Sequence, residues 1–195
     1  MRKLLRTAID LHRAGQLADA AVLYRQILDQ QPDNAEALHW FGVMHHQAGN
    51  HSGAITLIRR AVELSRDRYI YHGNLGDAQA ASGDHAGAEL SYREALRLWP
   101  EYPDGWCGLG TTLTALRRFD EAARALSRAI ELRPGFVVAI NNLGIAHRER
   151  GDLKQAVTEF RRAIDLVPSY APAHTNLGLA LLAQDLAPEA LDHCR

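Results

Sequence analysis

Apolar residues recur along the chain at spacings of three and four, in stretches of about thirteen residues joined by short polar turns. That spacing places them on one face of a helix. Between Val137 and Tyr170 the pattern reads VVAINNLGIAHRER, then Gly151 and Asp152, then LKQAVTEFRRAIDL, with Pro168 closing the unit. A shift of 34 residues in either direction returns the same landmarks. The frame predicts units at 1–34, 35–68, 69–102, 103–136 and 137–170, and an incomplete unit at 171–195. Each unit holds two helices, near 2–14, 18–31, 36–48, 52–65, 70–82, 86–98, 104–116, 120–132, 138–150, 154–166, 172–184 and 188–195. A helix pair of this kind cannot bury its apolar stripe alone and needs its neighbours. The fold class is therefore all-α, a right-handed superhelical solenoid of antiparallel helix pairs, running as one array over 1–195.

The landmarks have physical reasons. Position 8 of the unit is glycine in Gly42, Gly76, Gly110, Gly144 and Gly178. A glycine inside a helix costs about 1 kcal/mol relative to alanine. Its recurrence predicts close approach of a neighbouring helix, with the position-20 alanines (Ala20, Ala54, Ala88, Ala122, Ala156, Ala190) as partners. Positions 4, 7, 8 and 11 share a stripe that forms the core seam. Gly15, Gly49, Gly83 and Gly151 end the first helices, whereas Arg117 and Asp185 stand at that place in units four and six and require a different closure. Prolines 32, 100, 134 and 168 end the second helices.

These landmarks resemble the tetratricopeptide repeat family. Its pattern matches unit four as Trp106, Leu109, Gly110 and Leu113, followed by Ala122, Ala129 and Pro134. The resemblance covers essentially the whole chain. It implies a scaffold that holds peptides or proteins in a concave groove, without fixing the partner.

By the same periodicity, positions 2, 5, 6, 9, 12 and 13 of the first helices line that groove. The candidate peptide-binding residues are Arg6, His39, Trp40, Asn74, Asp77, Thr111, Asn141, Asn142 and Asn176. Asn74, Asn142 and Asn176 share position 6, each within an Asn-Leu-Gly run, and Gly108 interrupts the series. An amide offers both donors and an acceptor, so repeated amides can hold a peptide backbone. These units resemble the repeat arrays of O-linked N-acetylglucosamine transferases, which implies an asparagine ladder. That likeness opens an alternative role, as the recognition arm of a larger bacterial glycosyltransferase-like enzyme. The two-carboxylate clamp of related chaperone-binding repeats lacks its residues: Leu5 and Ile9 stand at its first two places, and Ile70 and Asn74 at its last two. Arg2, Arg6, His12 and Arg13 share a stripe with His39 and His46, predicting a local positive patch that favours an acidic partner segment.

The remaining composition narrows the picture. There are 22 Lys and Arg against 23 Asp and Glu, a net charge of −1, so a nucleic-acid partner is not expected. Arg6, Asp10, His12 and Arg13 interrupt the apolar start, so it reads as a helix rather than a leader, and no run is long enough for a membrane span. Cys107 and Cys194 make no disulfide framework, which points to a reducing, cytoplasmic compartment. His39, His45, His46 and His51 cluster in unit two, but His45 lies on the core stripe and His46 on the groove stripe, so that pair cannot face one ion and no metal is expected; nor is any cofactor or catalytic group. Leu179, Leu182, Leu186 and Leu191 have no following unit to cover them. That predicts self-association through the C-terminal end, or continuation of the array.

Overall fold

The computed structural model describes residues 1–184. Among them the chain is entirely helical, with no strand. The helices are α1 (Arg2–Arg13), α2 (Leu17–Gln30), α3 (Ala35–Gln47), α4 (His51–Leu64), α5 (Tyr69–Ala81), α6 (His85–Leu98), α7 (Pro103–Ala115), α8 (Phe119–Leu132), α9 (Val137–Arg150), α10 (Leu153–Leu166) and α11 (Ala171–Leu182). They fall into two compact units: Met1–Trp99 holds α1 to α6, and the unit from Pro100 onward holds α7 to α11. The helix expected near 188–195, Leu186, Leu191 and Asp185 lie outside the described residues. No described helix is long and apolar enough to cross a membrane.

Turn chemistry sets the helix ends. Gly15, Gly49, Gly83 and Gly151 adopt φ between 77° and 92°, the left-handed conformation that only glycine enters without cost. Arg117 does the same at φ 59°, so the turn of unit four closes in the same way as the others, against the expectation of a different closure. Its guanidinium lies 5.4 Å from the Phe119 ring centre, a contact that offsets part of the backbone strain. The following residue caps the second helix in three of these turns: Asn50, Asp84 and Asp152 accept the backbone N–H of Gly53, Gly87 and Gln155. Such caps are worth about 1 kcal/mol each.

In units two to five the position-8 glycine meets first the side chain at position 24; in units two and four the backbone of the position-20 alanine comes next. A Cβ added to Gly42 would lie 2.5 Å from Ile58 Cγ1, and one added to Gly76 would lie 2.9 Å from the Tyr92 ring. In the second unit, Gly110 faces Leu126 and Gly144 faces Phe160, both at 2.5 Å. The alanines sit one turn away and contribute backbone: the Ala54 and Ala122 carbonyl oxygens are each 3.2 Å from the added Cβ. The large residue at position 24 explains the expected overpacking better than a small one could. Tyr24, Ile58, Leu126 and Phe160 are all fully buried there.

The seam is also wider than positions 4, 7, 8 and 11. Position 3 (Ala37, Tyr71, Ala139, Ala173) and position 10 (Met44, Ala78, Thr112, Ala146, Ala180) are buried too. These mostly small residues let first helices of successive repeats approach.

Candidate functional site

Three clefts open on the first-helix faces, and the candidate residues divide among them. In the Met1–Trp99 unit, a cleft of about 480 Å³ between α1 and α3 is lined by Arg6 and Trp40, with Arg2, Leu5, Ile9 and Arg13 around them. A smaller cavity of about 230 Å³ is lined by Val43, His46, Asn74 and Asp77. In the unit from Pro100 onward, a cleft of about 460 Å³ is lined by Thr111, Thr114, Ala115, Phe119, Asn142 and Ile145. Asn176 and Asn141 lie on the neighbouring face of α11 and α9, bonded to each other.

Position 5 is covered by the repeat that follows, although Leu5 also borders the α1–α3 cleft. Leu5, His39, Cys107 and Asn141 are all buried there, with at most 8 % exposure, beneath the first helix of the next repeat. Each of the last three meets the position-6 asparagine of that repeat. Asn74 Nδ2 lies 2.7 Å from His39 Nε2. Asn142 Nδ2 lies 4.0 Å from Cys107 Sγ and donates to Thr111 Oγ1 at 3.0 Å. Asn176 Nδ2 donates to Asn141 Oδ1 at 3.0 Å, while its Oδ1 accepts from Arg148 at 3.0 Å. The asparagine series is therefore a set of bonds between repeats. All three side chains remain half-buried, at the edge of the first-helix face.

The histidines behave differently from the sequence expectation. His39 stacks on Tyr71 with ring centres 4.2 Å apart, and burial together with the nearby Arg68 lowers its pKa to about 4. A neutral imidazole adds nothing to a positive patch. His12 is buried as well, within 3.3 Å of the Tyr24 hydroxyl and 2.8 Å of Gln47 Oε1. Arg2, Arg6 and Arg13 remain exposed and carry positive charge on the N-terminal face. His46 and His51 bring their Nδ1 atoms within 3.2 Å, but among the described residues no group of three metal-ligating side chains forms.

Asp77 is exposed and accepts the Tyr92 hydroxyl at 2.6 Å, which joins α5 to α6. Thr111 also donates back to the Cys107 carbonyl at 2.9 Å. Cys107 does not face the groove; burial first, then Asp104, push its thiol up to about 11. It is therefore a packing residue without nucleophilic character. Trp40 is held edge-on against His12 and His39, with the Arg13 guanidinium 5.3 Å from its ring centre. The sequence reasoning missed the role of Phe119 as cleft lining, whereas Ala115, at position 13, lies on the expected groove stripe. Phe119 stands at position 17, beside the turn, and an aromatic there was the available signal.

A family model described as a tetratricopeptide repeat matches residues 5–69, 54–103 and 74–135, and a second, described as a TPR repeat, matches 144–185. No curated protein matches the sequence. Among solved structures, MamA is similar at 24% identity and a TM-score of 0.75, over 84% of this chain and 96% of that one. YrrB, described as a TPR protein with an unusual peptide-binding site, is similar at 22% identity and a TM-score of 0.68, over 87% and 88%. PilW, described as a type IV pilus biogenesis factor, is similar at 18% identity and a TM-score of 0.91, over 98% and 89%. At these identities the likeness shows the fold.

Proposed function

Since the chain belongs to the tetratricopeptide repeat family, we propose that it is a non-catalytic scaffold that holds an extended segment of a partner protein along its first-helix faces. The observation that carries this reading is the cleft between α7 and α9. Ala115, Phe119 and Ile145 give it an apolar floor, and Thr111, Asn142 and Glu149 give it a polar edge. A few placed polar groups beside an apolar floor is the usual composition of a recognition pocket. A side chain of the segment fills the floor, and its backbone bonds to the edge. Asn74, Asn142 and Asn176 supply backbone contacts from the part of each amide that the inter-repeat bonds leave at the surface. The peptide-binding site of YrrB, a protein of the same fold, supports the reading. The buried Cys107 thiol beside the cleft is held protonated, in keeping with a packing role.

The test is selection of binders from a bead-displayed library of random decapeptides on the full chain. The cleft is then filled with Thr114→Arg, a half-buried position on the α7 surface. Binding of the enriched peptides should weaken about tenfold, which is roughly 1.4 kcal/mol, with an unchanged unfolding midpoint. Enriched peptides indifferent to Thr114→Arg would contradict the reading.

A further inference from the structure

We propose that the cleft between α1 and α3 is a separate docking site for an acidic peptide segment carrying an aromatic or aliphatic side chain beside its carboxylates. The inference rests on the reading that first-helix faces bind peptide segments, but on different residues from the α7–α9 cleft. Its floor is apolar: Leu5 is buried, Ile9 and Trp40 half-buried, and all three line a space of about 480 Å³. Three exposed guanidiniums, Arg2, Arg6 and Arg13, stand around that floor.

None of these three makes an ion pair or hydrogen bond among the described residues, whereas Arg60, Arg97, Arg118, Arg128 and Arg150 each close on a carboxylate within 3.1 Å. The three cleft guanidiniums thus keep their N–H groups open to a ligand's carboxylates. Asp10 and Glu36 also line it, which leaves an excess of one positive charge concentrated over apolar ground.

Arg13 is already placed. Its guanidinium lies over the Trp40 ring at 5.3 Å, and stacking on a ring leaves the N–H edge of the plane available. That edge matches a carboxylate with two parallel hydrogen bonds. The indole beneath it cannot turn freely, because His12 and His39 pack against it at ring-centre distances of 5.8 and 5.5 Å. His12 in turn is fixed by Tyr24 and Gln47. A rigid tryptophan with an arginine over it is a pre-ordered anchor, and both residue types are enriched among the side chains that dominate interfaces. The two cleft carboxylates disfavour a continuous phosphate backbone or lipid surface while leaving room for separate carboxylates between them.

The experiment uses the full chain and the same random decapeptide library, with wild type, Arg6→Glu/Arg13→Glu and Thr114→Arg run side by side. The proposal predicts that wild type and Thr114→Arg both enrich peptides combining Asp or Glu with aromatic or aliphatic residues, and that the double arginine variant does not. The best such peptide, fluorescein-labelled and followed by anisotropy, should bind about tenfold more weakly once its acids are replaced by Gln and Asn. Raising salt from about 50 mM to about 300 mM should weaken it several-fold, as screening requires. The inference falls if no acidic peptides are enriched, or if binding survives Arg6→Glu/Arg13→Glu. It also falls if the arginine-dependent ligand proves to be duplex DNA or phosphatidylserine vesicles in preference to the peptide. Enriched peptides sensitive only to Thr114→Arg would remove this inference and leave the α7–α9 reading standing; acidic peptides sensitive only to the arginine variant would do the reverse.

Discussion

Asn176 donates its amide to Asn141 across two successive first helices at 3.0 Å, and the same pair of repeat positions joins Asn74 to His39 and Asn142 to Cys107. The position-6 asparagine thus fastens units three, five and six to the units before them. Asn141 is 4 % exposed, so removing its partner leaves a buried amide short of a bond. A double-mutant cycle of Asn141→Ala and Asn176→Ala should give a coupling of about 0.5–1.5 kcal/mol by urea unfolding. Strict additivity would show that the bond carries no stability.

The glycine contact makes a sharper prediction. An alanine at Gly144 places its Cβ 2.5 Å from Phe160, in a fully buried site. Gly144→Ala should therefore destabilise the chain by about 1–3 kcal/mol despite the better helix propensity of alanine. Adding Phe160→Leu should recover part of that loss. A melting temperature that rises in Gly144→Ala would mean that the helices can separate without cost.

The turn of unit four offers a paired comparison. Gly151 sits at φ 92° and Arg117 at φ 59°. Gly151→Val should cost about 1–2 kcal/mol, the penalty for a branched residue in left-handed backbone. Arg117→Gly should leave the unfolding midpoint unchanged or raise it, because relief of strain offsets the lost contact with Phe119. Thermal unfolding of both variants checks the pair.

His39 couples stability to pH. Its pKa falls from 6.5 to about 4 on folding, mainly through burial and then through Arg68. The folded state therefore holds fewer protons than the unfolded state between those values. The contribution is fully present above pH 6.5 and is lost as pH falls toward 4, by an amount on the order of 3 kcal/mol. Urea midpoints should drop more steeply from pH 7.5 to 5 in wild type than in His39→Gln. Parallel curves would place the titration elsewhere.

The periodicity was enough to place every described helix within two residues of its observed ends, because the apolar spacing and the turn glycines act locally. Of the candidate residues it named, Arg6, Trp40, Asn74, Asp77, Thr111 and Asn142 line clefts on the first helices. It did not separate position 5 from position 6. At about 100° per residue the two are near neighbours on one helix, and only the next repeat decides which is covered. His39, Cys107 and Asn141 are buried for that reason, while Trp40, Asn74 and Asn142 stay at the surface. The partner of the glycine was likewise out of reach, since positions 20 and 24 lie on the same side of the second helix and differ only by one turn of depth. Arg117 was misread because composition reports a preference for glycine in left-handed backbone, and a local contact can override a preference.

The central claim is that a partner segment lies on the first-helix face. A library-selected peptide carrying a benzophenone at its middle residue, photo-cross-linked to the full chain and mapped by mass spectrometry, reports that position directly. Adducts on Thr111, Thr114, Ile145 or Glu149, lost on competition with unlabelled peptide, are the predicted result. Adducts confined to the outer cleft at Ser127, Glu131 and Arg162 would contradict it.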